Sequence, residues 1–376
     1  MAGELGLFYH RRLYDLDGTE ALFVRAMRGN VRHHVARCPE YAALLAARGF
    51  SPDDVRGIAD LAEIPPLTTL YLKRHTLYSA SPEHLKFVST TSGTSGRVSV
   101  MGLDWPTCVN GLGMLLTTFF SRGLVSARPT NYVVLGYEPA KHNKMGATRT
   151  IYATTFTAPP LRRAFALRDT GDAYELDLDG LRRALVSYER QGHPVRLIGF
   201  PAYFMFLLQE LRDAGVRLRL HPKSLVIVAG GWKQFFTQRV EKAELYALSE
   251  EVLGIPEPQI REFFGAVEHP ITYTDCRNHH FHVPIYSRVL IRDVDTFEPV
   301  EHGTTGLLNL LTPMVTSMPF TSVITDDLAT MYPGRSCGCG VMSPYFDVHG
   351  RVGMADIKTC AAGAAELLAD IARTDA

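Results

Sequence analysis

The sequence lacks several features that mark common classes of protein. No apolar run approaches the ~20 residues that a membrane-spanning helix needs, and the first residues carry neither the basic start nor the apolar core of a signal peptide. Lys and Arg together number 39 and Asp and Glu together number 39, so the formal net charge is zero. A general nucleic-acid binder would carry a surplus of positive charge. The sequence therefore predicts no membrane span and no nucleic-acid partner.

Cysteine is also scarce. The six cysteines are scattered over 376 residues, a usage that is typical of a reducing compartment and argues against a disulfide scaffold. Internal repeats, low-complexity tracts and long linkers are lacking as well. Apolar residues make up 46% and charged residues 21%, which is ordinary globular composition. We expect a soluble, cytoplasmic protein whose length suits an enzyme.

The order of the apolar patterns predicts an α/β fold. Apolar residues recur every four positions across residues 23–35, as on one face of an amphipathic helix. Residues 132–135 and 225–229 are β-branched apolar runs, which are typical of buried parallel strands. Helical patterns occupy 181–190 and 203–214 between them. Two further strands, at 288–293 and 306–311, indicate a β-rich lobe in the last third of the chain.

A run rich in glycine and hydroxyl groups is the most informative stretch. Residues 89–97 combine six hydroxyls, two glycines and Arg97, directly after Phe87 and Val88. Glycines let backbone N–H groups approach an anion, hydroxyls donate hydrogen bonds, and the guanidinium offers a planar fork for phosphate oxygens. The run does not match the nucleotide P-loop pattern G-x-x-x-x-G-K-[ST]. It predicts a phosphate-binding loop of another kind, with a flexible serine-rich surface loop as the alternative.

The order of residues in this loop resembles the phosphate-binding signature of the adenylate-forming superfamily, which includes acyl-CoA synthetases, peptide-synthetase adenylation domains and luciferases. The phenylacetate-CoA ligase branch is the most similar, and residues 61–68 and 72–74 resemble its helical lead-in. The likeness covers roughly residues 20 to 360. It implies the large N-terminal α/β domain of such an enzyme, with the small C-terminal domain truncated.

This resemblance implies four segments. They are a helical lead-in at 1–85, an α/β adenylation core with the phosphate loop at 86–275, a β-rich lobe at 276–350, and a truncated hinge with a last helix at 351–376.

Further superfamily motifs follow in the expected order. Residues 229–233 look like the glycine pair beside the adenine, and 261–269 resemble the Y-G-x-T-E motif. In that motif an aromatic flanks the adenine and the glutamate, here Glu268, helps to hold Mg²⁺, a cation that prefers oxygen ligands. Val267 replaces the usual threonine, which removes a hydroxyl near the phosphates.

Two motifs concern the ribose. Residues 324–327 resemble the T-G-D motif, whose aspartate, here Asp327, binds the ribose hydroxyls, and Asp326 stands where that motif has glycine. Gly350 and Arg351 look like the hinge pair whose arginine approaches the ribose and phosphate.

The resemblance thus implies ATP or AMP and Mg²⁺ as cofactors, together with a set of catalytic and nucleotide-binding residues. Catalysis is expected of Arg97, Glu268, Lys358 and Cys360. The nucleotide-binding residues are Thr90, Thr91, Ser92, Gly93, Thr94, Ser95, Gly96, Gly230, Gly231, Glu262, Phe263, Phe264, Gly265, Asp327 and Arg351.

A group of cysteines and histidines predicts a structural zinc site. Three thiols and one imidazole form a closed tetrahedron, which is structural Zn²⁺ chemistry. The expected ligands are Cys276, His282, Cys337 and Cys339, an arrangement that looks like one in some phenylacetate-CoA ligase relatives. His282 is preferred to His280 because it sits just before a strand, as the family's ligand does. Reduced, buried thiols without metal are the alternative.

The chain ends soon after the hinge, whereas most superfamily members continue into a domain that carries the adenylation lysine. Lys358 or Lys233 is the expected substitute. The chain resembles the short members of the superfamily, namely the acyl-protein synthetases of bacterial luminescence and the adenylating enzymes of phenazine antibiotic pathways. Cys360 is placed like the acyl-accepting cysteine of the former, and a helix N-terminus would favour its thiolate. A small residue packed under the last helix is the alternative.

Family position also implies an acyl pocket. Its walls would be Tyr137, Lys141, His142, Tyr203 and Trp232. Aromatic rings and one or two cations suit an aromatic or hydroxylated carboxylate, although such aromatics are more often core residues.

The leading hypothesis is a carboxylate-activating ligase that forms an aryl- or fatty-acyl-adenylate, releases pyrophosphate and passes the acyl group to a nucleophile, with Cys360 as one candidate. The alternative is a nucleotide- or ligand-binding regulatory protein that has lost adenylation, which Val267 and Asp326 favour and Glu268 and Asp327 oppose. A serine hydrolase lacks its G-x-S-x-G elbow. The sequence leaves open the acid, an acceptor protein or small molecule, and a homodimer; antibiotic biosynthesis is the expected setting.

Overall fold

The structure is a computed structural model that describes residues 6–90, 100–143, 145–171, 173–231 and 240–351. Contacts between Cα atoms divide the chain into two compact units, Met1–Thr118 with Gly265–Ala376, and Phe119–Phe264. Helices and sheets are mixed in both, which confirms the predicted α/β class. The four segments expected from the resemblance remain a prediction, because the two units follow contacts in space and not order along the chain.

The α-helices of the described chain are distributed over its whole length. They are α1 (Leu16–Arg37), α2 (Pro39–Ala47), α3 (Thr69–Leu72), α4 (Trp105–Ser121), α5 (Gly146–Thr154), α6 (Leu178–Gln191), α7 (Pro201–Asp213) and α8 (Lys242–Leu253). None of the helices in the described ranges is both long and apolar enough to cross a membrane.

The strands form two large sheets and one two-stranded sheet. They are β1 (Leu67–Thr68), β2 (Phe87–Thr90), β3 (Val100–Leu103), β4 (Thr130–Tyr137), β5 (Pro160–Asp169), β6 (Tyr174–Leu176), β7 (Val195–Gly199), β8 (Leu225–Ala229), β9 (Ile260–Ala266), β10 (His269–Thr274), β11 (Phe281–His282), β12 (Arg288–Arg292), β13 (Thr305–Leu311), β14 (Ser322–Tyr332) and β15 (Tyr345–Arg351).

The unit Phe119–Phe264 is built on a parallel sheet. Its strands lie in the order β9-β8-β7-β4-β5-β6, and every neighbouring pair except β5–β6 is parallel. The predicted strands β4 and β8 are nearly continuous buried runs, as strands covered on both faces are. Helices α6 and α7 lie at the predicted positions and bury apolar faces, for example Leu181, Leu185 and Tyr188 of α6. The period of the apolar residues is therefore a sufficient signal here.

The other unit begins with α1 and α2. Phe23, Met27 and Val31 of the predicted α1 face are fully buried. The Asp15 side chain accepts a hydrogen bond from the Gly18 amide at 3.0 Å and so caps the start of α1. Pro39 occupies the first position of α2, where its missing N–H is tolerated.

The sheet of this unit has the order β11-β15-β14-β13-β12, and β1 adds a parallel pairing to β14. Strand β14 is central, and it is irregular in the middle. Ile324 of β14 pairs with Asn309 of β13, and the next pair is Leu328 with Leu307. A step of four residues along β14 thus corresponds to a step of two residues along β13. The residues between Ile324 and Leu328 therefore form a β-bulge, a device that redirects side chains.

His34, in the last turn of α1, is a fully buried histidine that should make stability depend on pH. Its Nε2 lies 3.1 Å from the Val315 carbonyl and its Nδ1 lies 2.7 Å from the Ser79 hydroxyl. Since a carbonyl only accepts, Nε2 carries the proton and the neutral ring satisfies both contacts. Burial lowers the pKa of His34 to about 3.

Unfolded chains bind a proton at this histidine below about pH 6.5, whereas the folded protein does so only near pH 3. Its contribution to the free energy of unfolding is thus complete above pH 6.5 and falls by about 1.4 kcal/mol per pH unit as the pH drops towards 3. The free energy of unfolding, measured with urea between pH 7.5 and 5, should show this decline. His34→Gln should take up one proton fewer on unfolding, so its free energy of unfolding should fall less steeply, by about 1.4 kcal/mol per pH unit. An identical slope in the variant would contradict the assignment.

Candidate nucleotide site and metal centre

Part of the expected site lies outside the described residues. These residues are the loop residues Thr91, Ser92, Gly93, Thr94, Ser95, Gly96 and Arg97, the pocket residue Trp232, and Lys233, Lys358 and Cys360. Thr90 and Arg351 are described by their backbone alone, as the last residues of β2 and β15.

Asp327, the expected ribose-binding residue, lies at the C-terminal side of the β14 bulge. It is 4% exposed, and its Cα faces that of Arg351 across the β14–β15 ladder. Its backbone N–H donates to the Thr325 hydroxyl oxygen at 3.2 Å, and that hydroxyl lies 3.4 Å from the Leu308 carbonyl. The Thr325 side chain thus accepts a backbone hydrogen bond inside the bulge. The structure brings the two predicted ribose-motif residues to facing positions.

Asp326, which stands where the family pattern has glycine, is held by the lead-in segment. The Lys73 ammonium lies 3.0 Å from its Oδ2, and the Thr69 hydroxyl donates to its Oδ1. The side chains of Lys73 and Asp326 are only 10% and 13% exposed. Sequence reasoning noted Asp326 but missed both partners. The added carboxylate of Asp326 could have indicated that a cationic partner exists, because a buried carboxylate requires a cation.

Glu268 lies in the two-residue turn between β9 and β10 and is 4% exposed. The next residue, His269, is fully buried, with Nε2 2.9 Å from the Tyr273 hydroxyl. That hydroxyl lies 2.5 Å from the Ser287 hydroxyl. Burial lowers the pKa of His269 to about 3, so the ring is neutral near pH 7. This network fixes the start of β10 beside the expected magnesium ligand.

The expected adenine-binding residues lie at the ends of adjacent parallel strands. Gly230 and Gly231 directly follow β8 with φ angles of +80° and +65°, a conformation that favours glycine. Phe263 pairs with Ala229, the last residue of β8, and Phe264 follows it on β9. Ligands of α/β sheets bind outside the carboxyl ends of the strands, which is where these residues lie.

Glu262 was expected to contact the nucleotide. Its Oε2 lies 2.6 Å from the Lys242 ammonium at the start of α8, and its side chain is 31% exposed. The carboxylate therefore has a cationic partner within its own unit.

Some of the expected pocket residues are gathered around a tyrosine that sequence reasoning missed. The Tyr174 ring contacts the Tyr137 ring edge-on at 4.9 Å between centroids and the His142 ring at 5.3 Å. Burial, with neighbouring Tyr137 as a smaller cause, raises the pKa of Tyr203 to about 12. Lys141 is exposed. No motif marks Tyr174, because its place depends on the β5–β6 hairpin returning to the end of β4.

The four expected metal ligands come together in the structure. One donor atom from each of Cys276, His282, Cys337 and Cys339 lies within 4.8 Å of all the others. The Cys276 and Cys337 sulfurs are 3.5 Å apart, and the Cys339 sulfur lies 3.2 Å from His282 Nε2. Two sulfurs each about 2.3 Å from a tetrahedral Zn²⁺ would be about 3.8 Å apart. Gly338, with φ of +71°, makes the turn that lets both flanking cysteines face the same point.

The surroundings of this cluster orient its imidazole. His282 Nδ1 lies 2.7 Å from the Ser343 carbonyl, which leaves Nε2 free of a proton and directed at the thiols. His280, the other candidate ligand, is outside the group of four and lies with Nδ1 3.2 Å from the Cys337 sulfur. Burial raises the pKa of the Cys337 thiol to about 12. Burial also acts on the Cys276 thiol, but hydrogen bonds to its sulfur, among them one from the Asn278 N–H at 3.3 Å, outweigh it and lower that pKa.

Comparisons with known proteins show the family and the fold of the chain. The chain is 25% identical over 325 residues to the long-chain-fatty-acid–luciferin-component ligase of Vibrio harveyi, covering 84% of this chain and 80% of that one. It is 25% identical over 335 residues to the phenylacetate-coenzyme A ligase of Thermus thermophilus, covering 85% of this chain and 67% of that one. A crystal structure of 2-hydroxyisobutyryl-CoA ligase shares the fold, with a TM-score of 0.66, 14% identity, and coverage of 92% and 77%.

The fold and the motif residues thus define an enzyme of the adenylate-forming ligase class. The family model of the acyl-protein synthetases, LuxE, matches residues 12–369. The chain belongs to the LuxE acyl-protein synthetase family, and the resemblance inferred from the sequence is confirmed.

Proposed function

We propose that this protein catalyses the ATP- and Mg²⁺-dependent activation of a carboxylic acid as an acyl-adenylate. The observation that carries the proposal is the buried Asp327 at the β14 bulge, facing Arg351 across β15. The two oxygens of a carboxylate suit the two hydroxyls of a ribose. Because Asp327 is only 4% exposed, water competes little for these hydrogen bonds.

Glu268 is proposed to hold Mg²⁺ beside the phosphates of ATP. The residue fits a hard cation, because it offers carboxylate oxygens and is 4% exposed. A carboxylate buried to this degree is costly unless a positive charge lies near it. The bound cation would supply that charge and neutralise the phosphates.

Adenylation requires little covalent chemistry from the protein. An oxygen of the substrate carboxylate attacks the α-phosphorus of ATP, the bond to the bridging oxygen breaks, and pyrophosphate leaves. The protein aligns the two reactants and compensates the phosphate charge. We assign charge compensation to Arg97 and the backbone donors of its loop, on the basis of the family motif.

Cys360 is the proposed first acceptor of the acyl group. The family model extends to residue 369 and so includes this cysteine. Its thiol loses a proton, the thiolate attacks the acyl carbon, AMP leaves and a thioester forms. The acyl group then passes to an acceptor protein or a small nucleophile.

The acid is proposed to be an aryl or fatty acid. One of the two relatives is named for a long-chain fatty acid and the other for phenylacetate. The cluster of Tyr137, Tyr174 and His142 presents ring faces and edges, which suit an aromatic carboxylate. An antibiotic pathway, the cytoplasm and a homodimer stay predictions from the sequence.

The cysteine–histidine cluster is proposed to hold a structural Zn²⁺. Four donors of types that zinc favours converge in this cluster, and Cys276, Cys337 and His282 among them are buried. Since all four positions are protein ligands, the ion would stabilise the fold and leave no position for substrate.

The first prediction concerns adenylation. ATP–pyrophosphate exchange with Mg²⁺ should respond to at least one acid in a panel of aryl, fatty and amino acids. Asp327→Asn should raise the KM for ATP about 10- to 100-fold, because charge-assisted hydrogen bonds to the ribose are weakened. ATP binding by calorimetry without exchange for any acid would instead favour the regulatory alternative.

The second prediction concerns the covalent intermediate. With ATP and a radiolabelled acid that supports exchange, the protein should acquire a label that neutral hydroxylamine removes, as expected of a thioester. Cys360→Ala should abolish the label and leave exchange unchanged. Cys108→Ala is the matched control and should keep the label. Retained label in Cys360→Ala would refute the assignment.

The third prediction concerns the metal. Elemental analysis of the purified protein should give about one zinc ion per chain, because the cluster is a closed four-ligand site. Cys337→Ser should lose the ion and unfold at a lower temperature, since metal binding contributes to folding. Cys108→Ser, a change outside the cluster, should keep the zinc ion and the wild-type unfolding temperature. A full zinc complement in Cys337→Ser would show that the metal binds elsewhere.

A further inference from the structure

We propose that Lys73 and Thr69 act as positioning residues that hold the β14 bulge through Asp326 and so fix Asp327 for the ribose. The inference rests on the proposed function, because it assigns a role to a contact beside the ribose-binding residue. It gives a role to Lys73 and Thr69, which lie outside the phosphate, adenine and ribose motifs.

The first step is that Thr325 and Asp326 have no place in the strand ladders of the described chain. Strand β1 pairs with β14 as far as Ile324, and β15 begins its pairing at Asp327. On the other side, β13 pairs with Ile324 and then with Leu328. The segment that leads to Asp327 thus interrupts the regular register of the sheet.

The second step is that α3 supplies the missing support. Thr69 and Lys73 are four residues apart and so lie on the same side of this helical turn. Both contact the Asp326 carboxylate, Lys73 through an ion pair of 3.0 Å. The turn is itself fixed, because the Thr68 hydroxyl accepts from the Tyr71 amide at 3.1 Å and the Lys73 amide donates to the Thr69 carbonyl at 2.9 Å.

The burial of the Lys73–Asp326 ion pair strengthens this support. The two charged side chains are 10% and 13% exposed, so solvent screens their attraction little. Asp326 is bonded covalently to Asp327, and fixing the first restricts the backbone of the second. Glycine at this position, as in the T-G-D motif, would leave the backbone freer. The Lys73–Asp326 ion pair therefore restricts the backbone of Asp327, which glycine at position 326 would not do.

A purely structural ion pair would stabilise the fold without affecting the ribose in particular. The two roles are separated by comparing AMP with 2′,3′-dideoxy-AMP, which lacks the hydroxyls that Asp327 would bind. Calorimetry on the full chain should show that the wild-type protein binds AMP about 10- to 100-fold more tightly than the dideoxy compound.

Lys73→Met should weaken AMP binding about tenfold, by analogy with the effect of removing the outer hydrogen-bonding partner of a metal ligand. It should leave dideoxy-AMP binding unchanged, and Lys73→Arg should restore most of the discrimination. Lys73→Met/Asp326→Ala removes both charges without recreating the T-G-D motif, which protects the fold from an unpaired buried carboxylate, and should show the same selective loss. Arg217→Met, which breaks the exposed ion pair to Glu251, is the control and should bind like wild type.

Full discrimination between the two nucleotides in Lys73→Met and in the double variant would overturn the positioning role alone. Equal loss of both nucleotides in variants with wild-type unfolding temperatures would also overturn it. No discrimination by the wild-type protein would overturn the ribose assignment of Asp327, and the positioning role with it.

Discussion

The register of strand β14 is the constraint on which the first unit depends. This strand must pair with β1, β13 and β15 along a single stretch of eleven residues. The partners do not share one continuous register, so the strand bulges between Ile324 and Leu328. A bulge in a buried strand leaves backbone groups that must find other partners. The Thr325 hydroxyl oxygen meets this requirement for the Asp327 N–H, and the Asp326 carboxylate is held by the side chains of Lys73 and Thr69. These contacts fix the segment that leads to Asp327, the expected ribose-binding residue.

Features of this molecule that depend on local pattern could be predicted from the sequence, whereas those that depend on long-range register could not. The buried strands β4 and β8 and the helices α6 and α7 follow from apolar periodicity. The convergence of Cys276, His282, Cys337 and Cys339 is long-range, and it was predicted because these ligand types resemble an arrangement in phenylacetate-CoA ligase relatives. The Lys73–Asp326 pair joins residues 253 positions apart and is set by the parallel pairing of β1 with β14, which no local signal announces. Tyr174 was missed for the same reason.

The two departures from the family motifs differ in their physical meaning. Val267 removes a hydroxyl from the turn before Glu268, and no described contact takes its place. Asp326 adds a negative charge at a nearly buried position, which is destabilising unless a cation accompanies it. Lys73 supplies that cation, so this departure is compensated within the structure. A compensated charge next to Asp327 is consistent with a maintained nucleotide site, which both the ligase and a nucleotide-binding regulatory protein require; ATP–pyrophosphate exchange distinguishes the two.

Strand β15 connects the proposed metal cluster to the expected ribose-binding residues. His282 pairs with Tyr345 at the first residue of the strand, and Asp327 pairs with Arg351 at its last. Seven residues of strand span roughly 20 Å, about twice the distance over which exposed charges interact at physiological ionic strength. An ion in the cluster would therefore not act on the nucleotide by its charge. It would act through register, because a slip of one residue at Tyr345 would change which residue of β15 faces Asp327.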